Sequence, residues 1–206
     1  MNLPQPPLLV ITDRRLARRP LLAVIEAILT AGGRWVMVRE KDLPEDELAS
    51  LVRAIIRLAR RVGGGVVVNT WASVAAACEA DGVHLPQGLS VAEARRIVGP
   101  GRWVGVSTHN LEEALRAVEE GADYITLSPI FPSVSKPGYG PALGVETLRM
   151  VARAVSIPVV ALGGITPENA RACREAGAAG IAVLGSVMTA EDPGAIVRAY
   201  LSAWGG

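Results

Sequence analysis

Lysine is nearly absent from this 206-residue chain: of its 21 basic side chains only Lys41 and Lys136 are not arginine. Cysteine is as scarce. Cys78 and Cys173 lie far apart inside apolar helical runs with no CxxC or histidine spacing near them, which excludes a zinc site and a disulfide framework and suits a reducing cytoplasm. Excess charge is lacking too. The formal net charge is +1 and the arginines scatter over expected helix faces, so no basic stripe favours nucleic acid as the main partner. No apolar run reaches membrane-spanning length without Gly, Pro or a charge, and the start Met-Asn-Leu-Pro-Gln-Pro-Pro has no charged leader region. A Walker loop, a nucleophile elbow and a metal-binding triad are also missing. What these absences leave is a soluble cytoplasmic protein with no nucleic-acid or membrane partner, acting on a small molecule; a homo-oligomer stays open.

What is present is a regular alternation. Half of the residues are apolar, enough for a sizeable core in one domain spanning residues 1–206. Strand-like runs fall at Leu8 to Thr12, Trp35 to Arg39, Val66 to Asn69, Val83 to Leu85, Trp103 to Ser107, Tyr124 to Ser128, Val159 to Gly163 and Ile181 to Gly185. Amphipathic stretches separate them, among them Glu45 to Arg61, Leu111 to Glu120 and Pro167 to Ala176, with start signals at Pro44, Asn110 and Thr166-Pro167. A last helix runs from Asp192 to Ala203. A recurring element of Ala, Gly and Asp before strands four, six and eight reads as a helix exit in which glycine takes positive φ. Eight strand–helix units predict an α/β single-domain (βα)8 TIM barrel, and right-handed crossovers bring every strand C-terminus to one face.

Functional residues are then expected in the loops after strands. Gly163-Gly164 after strand seven and Gly185-Ser186 after strand eight pair across neighbouring strands as a phosphate cradle, because backbone N–H groups there can approach an anion. The longest loop, Pro129 to Gly144, carries Ser133, Ser135 and Lys136 between prolines and glycines and reads as a lid over ligand. Lys41, in Val-Arg-Glu-Lys after strand two, is a second compact cation placed for an anion. His109 follows strand five before the helix cap Asn110 and suits a proton carrier over the barrel mouth. His84, within strand four, reads as a hydrogen-bonded packing residue.

The ordered set Val-Arg-Glu-Lys, Val-Val-Asn, Ala-Asp-Gly-Val-His-Leu-Pro-Gln, Gly-Val-Ser-Thr-His, Gly-Ala-Asp-Tyr-Ile, Ser-Pro-Ile-Phe-Pro-Ser-Val-Ser-Lys, Gly-Gly-Ile and Gly-Ile-Ala-Val resembles the thiamine phosphate synthase and TenI superfamily almost from end to end. The resemblance implies a barrel that binds a thiazole phosphate beneath the loops after strands seven and eight. It also implies that Arg39, Lys41, Asn69, Ser107, Ser133, Ser135, Lys136, Gly163, Gly164, Gly185 and Ser186 contact substrate or its phosphate.

Three positions depart from the synthase pattern. Thr70 and Leu89 stand where that pattern has Asp, and Met37 where it has Gln. Mg2+ needs hard oxygen ligands, so the loss of both carboxylates disfavours transfer from an aminopyrimidine diphosphate. The expectation is therefore a TenI-like thiazole tautomerase, an isomerase that needs no metal or other cofactor. His109 would be its catalytic acid–base, moving one proton between two ring-linked carbons. Two alternatives remain: a Mg2+-using thiamine phosphate synthase with relocated ligands such as Asp13 or Asp42, and a non-catalytic regulator that binds thiazole or thiamine phosphate.

Overall fold

Runs such as Leu-Leu-Val-Ile and Val-Val-Ala-Leu have no polar face, which suits strands covered on both sides, and the chain folds so as to cover them. The computed structural model describes residues 2–132 and 141–205. In chain order the elements are β1 (Leu8–Ile11), α1 (Leu21–Thr30), β2 (Trp35–Val38), α2 (Glu45–Arg60), β3 (Gly65–Asn69), α3 (Ala72–Ala77), β4 (Gly82–Leu85), α4 (Val91–Val98), β5 (Trp103–Thr108) and α5 (Leu111–Glu119). They continue as β6 (Tyr124–Leu127), α6 (Gly144–Ala154), β7 (Val159–Leu162), α7 (Pro167–Glu175), β8 (Gly180–Val183), α8 (Gly185–Met188) and α9 (Pro193–Gly205). All neighbouring strands pair in parallel and β8 returns to β1, closing a (βα)8 barrel. Among the described residues no helix is long and apolar enough to cross a membrane.

Strand alternation divides the core in two. Leu8, Val10, Val36, Val38, Val66 and Val68 face outward and join helix residues such as Ile25, Ile28, Val52 and Ile55. Leu9, Ile11, Trp35, Met37, Val67, Tyr124, Val160 and Ala182 fill the barrel, with Leu3 packed among them. Gly105 lies on this inner face because Tyr124 needs its space: a Cβ there would come within 2.2 Å of the tyrosine Cζ.

Each expected strand is present with its ends shifted by one or two residues, and the helix starts at Pro44, Asn110 and Thr166 all hold. Asn110 Oδ1 accepts the Glu113 N–H at 2.9 Å, while Thr166 N–H donates to Asn169 Oδ1 at 2.8 Å. The exit turns differ in one place. Gly121 and Gly177 take positive φ before β6 and β8, but before β4 the residue with φ 54° is Glu79. Gly82 serves another purpose there, since a Cβ on it would meet the Trp103 carbonyl oxygen at 2.3 Å. The short α8 was not anticipated: four residues are too few to show a 3.6-residue period.

Candidate functional site

The rim at β1 and β2 is built around one buried carboxylate. Glu40 is 4% exposed, and its Oε1 accepts the Thr12 hydroxyl at 2.6 Å. The Arg14 N–H lies 3.1 and 3.0 Å from its two oxygens, and Arg14 Nη1 lies 3.2 Å from Oε2. Thr12 Oγ1 in turn accepts the Arg39 N–H at 3.0 Å. The Arg14 guanidinium also grips Asp42 in two bonds of 2.7 and 2.9 Å, which hold the Asp42 carboxyl down at about 2 and push the Arg14 pKa up. These bonds tie the first two loops together beneath Arg39, half-buried and in phase with inward Trp35 and Met37, and beside exposed Lys41. Glu40 was missed as a site element. Its only sequence signal was an acid between two bases in Val-Arg-Glu-Lys.

At β3, half-buried Asn69 donates from Nδ2 to the His84 carbonyl at 3.3 Å and accepts the Thr70 hydroxyl at 3.3 Å. Thr70 has φ 70°, a left-handed conformation that strains a β-branched residue. Below it His84 is buried inside the barrel. Its Nδ1 lies 3.0 Å from the Tyr124 hydroxyl and its Nε2 3.0 Å from Ser107 Oγ, with Thr126 Oγ1 at 3.4 Å. Burial lowers the His84 pKa to about 3, so the ring is neutral, and burial first, Asp123 second, pushes the Tyr124 phenol up. The floor of the mouth is thus polar over β3 to β6, at Asn69, His84, Ser107 and Thr126. Over β7, β8, β1 and β2 it is apolar, at Leu162, Leu184, Ile11 and Met37.

His109, one residue beyond β5, is turned onto the first turn of α5. Glu113 Oε2 accepts its backbone N–H at 2.8 Å and lies 3.0 Å from Nδ1, while Glu113 Oε1 accepts Asn110 Nδ2 at 3.0 Å. Glu113 was also missed, although its place four residues after a histidine at a helix start was the available signal. A groove of about 470 Å³ runs from Leu89 and Glu113 past Val106 and Ala117.

After β7, Gly164 has φ 63°, and a Cβ on it would strike the carbonyl oxygens of Phe131 and Pro132 at 2.7 and 2.5 Å. Its own carbonyl accepts Asn169 Nδ2 at 2.9 Å, and the Phe131 N–H reaches the Gly163 carbonyl at 3.0 Å. Among the described residues the N–H groups of Gly164, Gly185 and Ser186 meet no protein acceptor. The Ser186 hydroxyl is committed. Tyr200 donates to the Ile165 carbonyl at 2.8 Å, so in its 2.9 Å contact with Ser186 the serine is the donor. Ser133, Ser135 and Lys136, with the central part of the expected lid, lie outside the described residues.

A magnesium ion fits this donor set poorly. Glu40 is saturated, Asp42 is clasped by Arg14, and Asp13 Oδ1 accepts the Arg15 N–H at 3.1 Å. Among the described residues no three His, Cys, Asp or Glu side chains converge.

Comparison with known proteins gives a consistent result. The family pattern described as thiamine monophosphate synthase, TMP-TENI, matches residues 8–187. A Geobacter sulfurreducens protein named putative thiamine-phosphate synthase is 44% identical over 95% of this chain and 92% of its own length. A Roseiflexus thiamine-phosphate synthase is 43% identical over 92% of this chain and 81% of its own. Among solved structures, a thiamine phosphate pyrophosphorylase from Pyrococcus furiosus superposes with a TM-score of 0.88 at 35% identity, covering 96% of this chain and 95% of that one.

Proposed function

Because the chain belongs to the thiamine monophosphate synthase (TMP-TENI) family, we propose that it is a cytoplasmic thiamine-phosphate synthase, a transferase that joins an aminopyrimidine diphosphate to a thiazole phosphate. The carrying observation is likeness over nearly the whole chain, at 42–44% identity, to several proteins bearing that name. This reading takes precedence over the tautomerase expected from Thr70 and Leu89, a name that none of these relatives carries.

In the reaction the bond between the pyrimidine methylene carbon and the diphosphate oxygen breaks, the oxygen keeping the electron pair, and the thiazole nitrogen bonds to that carbon. Several groups of this chain suit the two substrates. The N–H groups of Gly164, Gly185 and Ser186 are available to a thiazole phosphate. Arg39 and Lys41, just past β2 and two strands round the barrel from β8, are cations that can take up charge on a departing diphosphate. Lys136 with Ser133 and Ser135 would add to them. The family implies Mg2+, but with Thr70 and Leu89 at the expected carboxylate positions no step is assigned to it.

Incubating the purified protein with both half-substrates and Mg2+ should yield thiamine phosphate on chromatography; no product at any Mg2+ concentration would overturn the reading. A tautomerase is the second reading, favoured by the same Thr70 and Leu89 and by the His109–Glu113 pair, which could hold an imidazole ready to move a proton. Its signature is an ultraviolet change as the carboxythiazole phosphate aromatises, with no diphosphate added.

A further inference from the structure

We infer that His84 is a positioning residue of the mouth: held by Tyr124 as the neutral tautomer with its proton on Nε2, it makes the Ser107 hydroxyl a hydrogen-bond donor to bound ligand. The inference rests on the proposed function only in taking the ligand to be a thiamine-type phosphate.

The argument is one of hydrogen-bond satisfaction inside a closed barrel. Tyr124 is fully buried, and among the described residues His84 Nδ1, at 3.0 Å, is the only partner of its hydroxyl. Were the imidazole proton on Nδ1, the tyrosine could only accept it, and its own O–H would be buried without an acceptor, an expensive arrangement. With Nδ1 bare, Tyr124 donates to it and the proton resides on Nε2. From there it meets Ser107 Oγ at 3.0 Å, with Thr126 Oγ1 more distant at 3.4 Å.

Ser107 therefore accepts from below. Its hydroxyl hydrogen has no other partner among the described residues, and the half-buried side chain stands at the floor of the mouth. A ligand atom over β5 is consequently an acceptor, a nitrogen lone pair or an anionic oxygen. The division of the floor agrees: the polar edge of a bound ring faces β3 to β6 and its apolar edge faces Ile11, Met37, Leu162 and Leu184. Gly105 keeps the arrangement in register by admitting the Tyr124 ring next to His84.

Two measurements test this. In 15N-labelled protein, ring correlations of His84 should show the Nε2-protonated neutral form between pH 8 and pH 5; the Nδ1-protonated form would overturn the inference whether or not any ligand binds. Thiamine phosphate binding, read by calorimetry, should weaken about fivefold to tenfold in Tyr124→Phe and in Ser107→Ala. The double variant should be no weaker than Ser107→Ala, because Tyr124 acts through the serine. Additive losses would mean that Tyr124 only packs, and would overturn the relay. If the wild-type protein ignores thiamine phosphate altogether, the family-based function fails instead, and the tautomer measurement still decides the role of His84.

Discussion

Glu113 holds His109 twice with a single oxygen, Oε2 accepting the histidine's backbone N–H at 2.8 Å and lying 3.0 Å from its Nδ1. An ionised carboxylate at that distance favours the proton on Nδ1, which leaves Nε2 as the basic nitrogen of the ring. The same side chain accepts Asn110 Nδ2 through Oε1, so one residue both closes the start of α5 and orients the imidazole.

His109→Asn separates the two readings of the site. In the transferase no proton moves between substrate carbons, so thiamine phosphate formation should stay within tenfold of wild type. In a tautomerase the rate should fall by roughly 10² to 10⁴, the usual contribution of a positioned acid–base group. Product chromatography and ultraviolet kinetics on the same preparation give both numbers.

The loop clamp at Glu40 should dominate the stability of the rim. Glu40→Ala strips the buried Thr12 hydroxyl of its acceptor and Arg14 of an ionic partner, and should cost about 3 to 5 kcal/mol in denaturant unfolding. Asp42→Asn, at an exposed carboxylate whose pairing with Arg14 is screened by solvent, should change stability far less. Equal losses in the two variants would mean that Glu40 is not the anchor.

His84 makes the protein sensitive to acid. Its folded pKa is depressed from 6.5 to about 3, so between those values the unfolded chain binds a proton that the folded chain refuses. This contribution to stability is complete above about pH 6.5 and shrinks as pH falls towards 3, with a slope of up to about 1.4 kcal/mol per pH unit. Urea unfolding at pH 7 and pH 5 should show the loss, and His84→Gln should remove that component of it.

Thr70 stores strain at the end of β3. Asn tolerates φ 70° better than a β-branched residue, so Thr70→Asn should raise stability by about 0.5 to 1 kcal/mol. The paired change Thr70→Asp and Leu89→Asp should instead make binding of inorganic pyrophosphate depend on Mg2+ by tenfold or more, where the wild-type protein shows little dependence. Calorimetry with and without EDTA reads the difference.

The strand–helix order, the parallel sheet and the common face of the loops were legible in the chain because they follow from local periodicity and handedness. Every expected strand formed, and Pro44, Asn110 and Thr166 began helices as read. The family was legible for a related reason: its motifs are contiguous runs at strand ends, so no long-range geometry is needed to see them. Choosing an activity within the family from Thr70 and Leu89 went further than such runs allow, since the relatives sharing most of the chain are named as synthases.

What only the tertiary structure decided were the partnerships. That Glu40 faces Thr12 and Arg14, 28 and 26 residues away, depends on two loops meeting at the rim. His84, Ser107 and Tyr124 come from three strands, and nothing in their local sequence says that they share a barrel interior. The Ser186 hydroxyl, in the turn whose backbone N–H groups were expected to cradle a phosphate, is taken by Tyr200 of α9, a helix that packs back against that corner. Local propensity acts over a few residues, whereas these hydrogen bonds exist because closing the barrel buries polar groups that must then find partners across it.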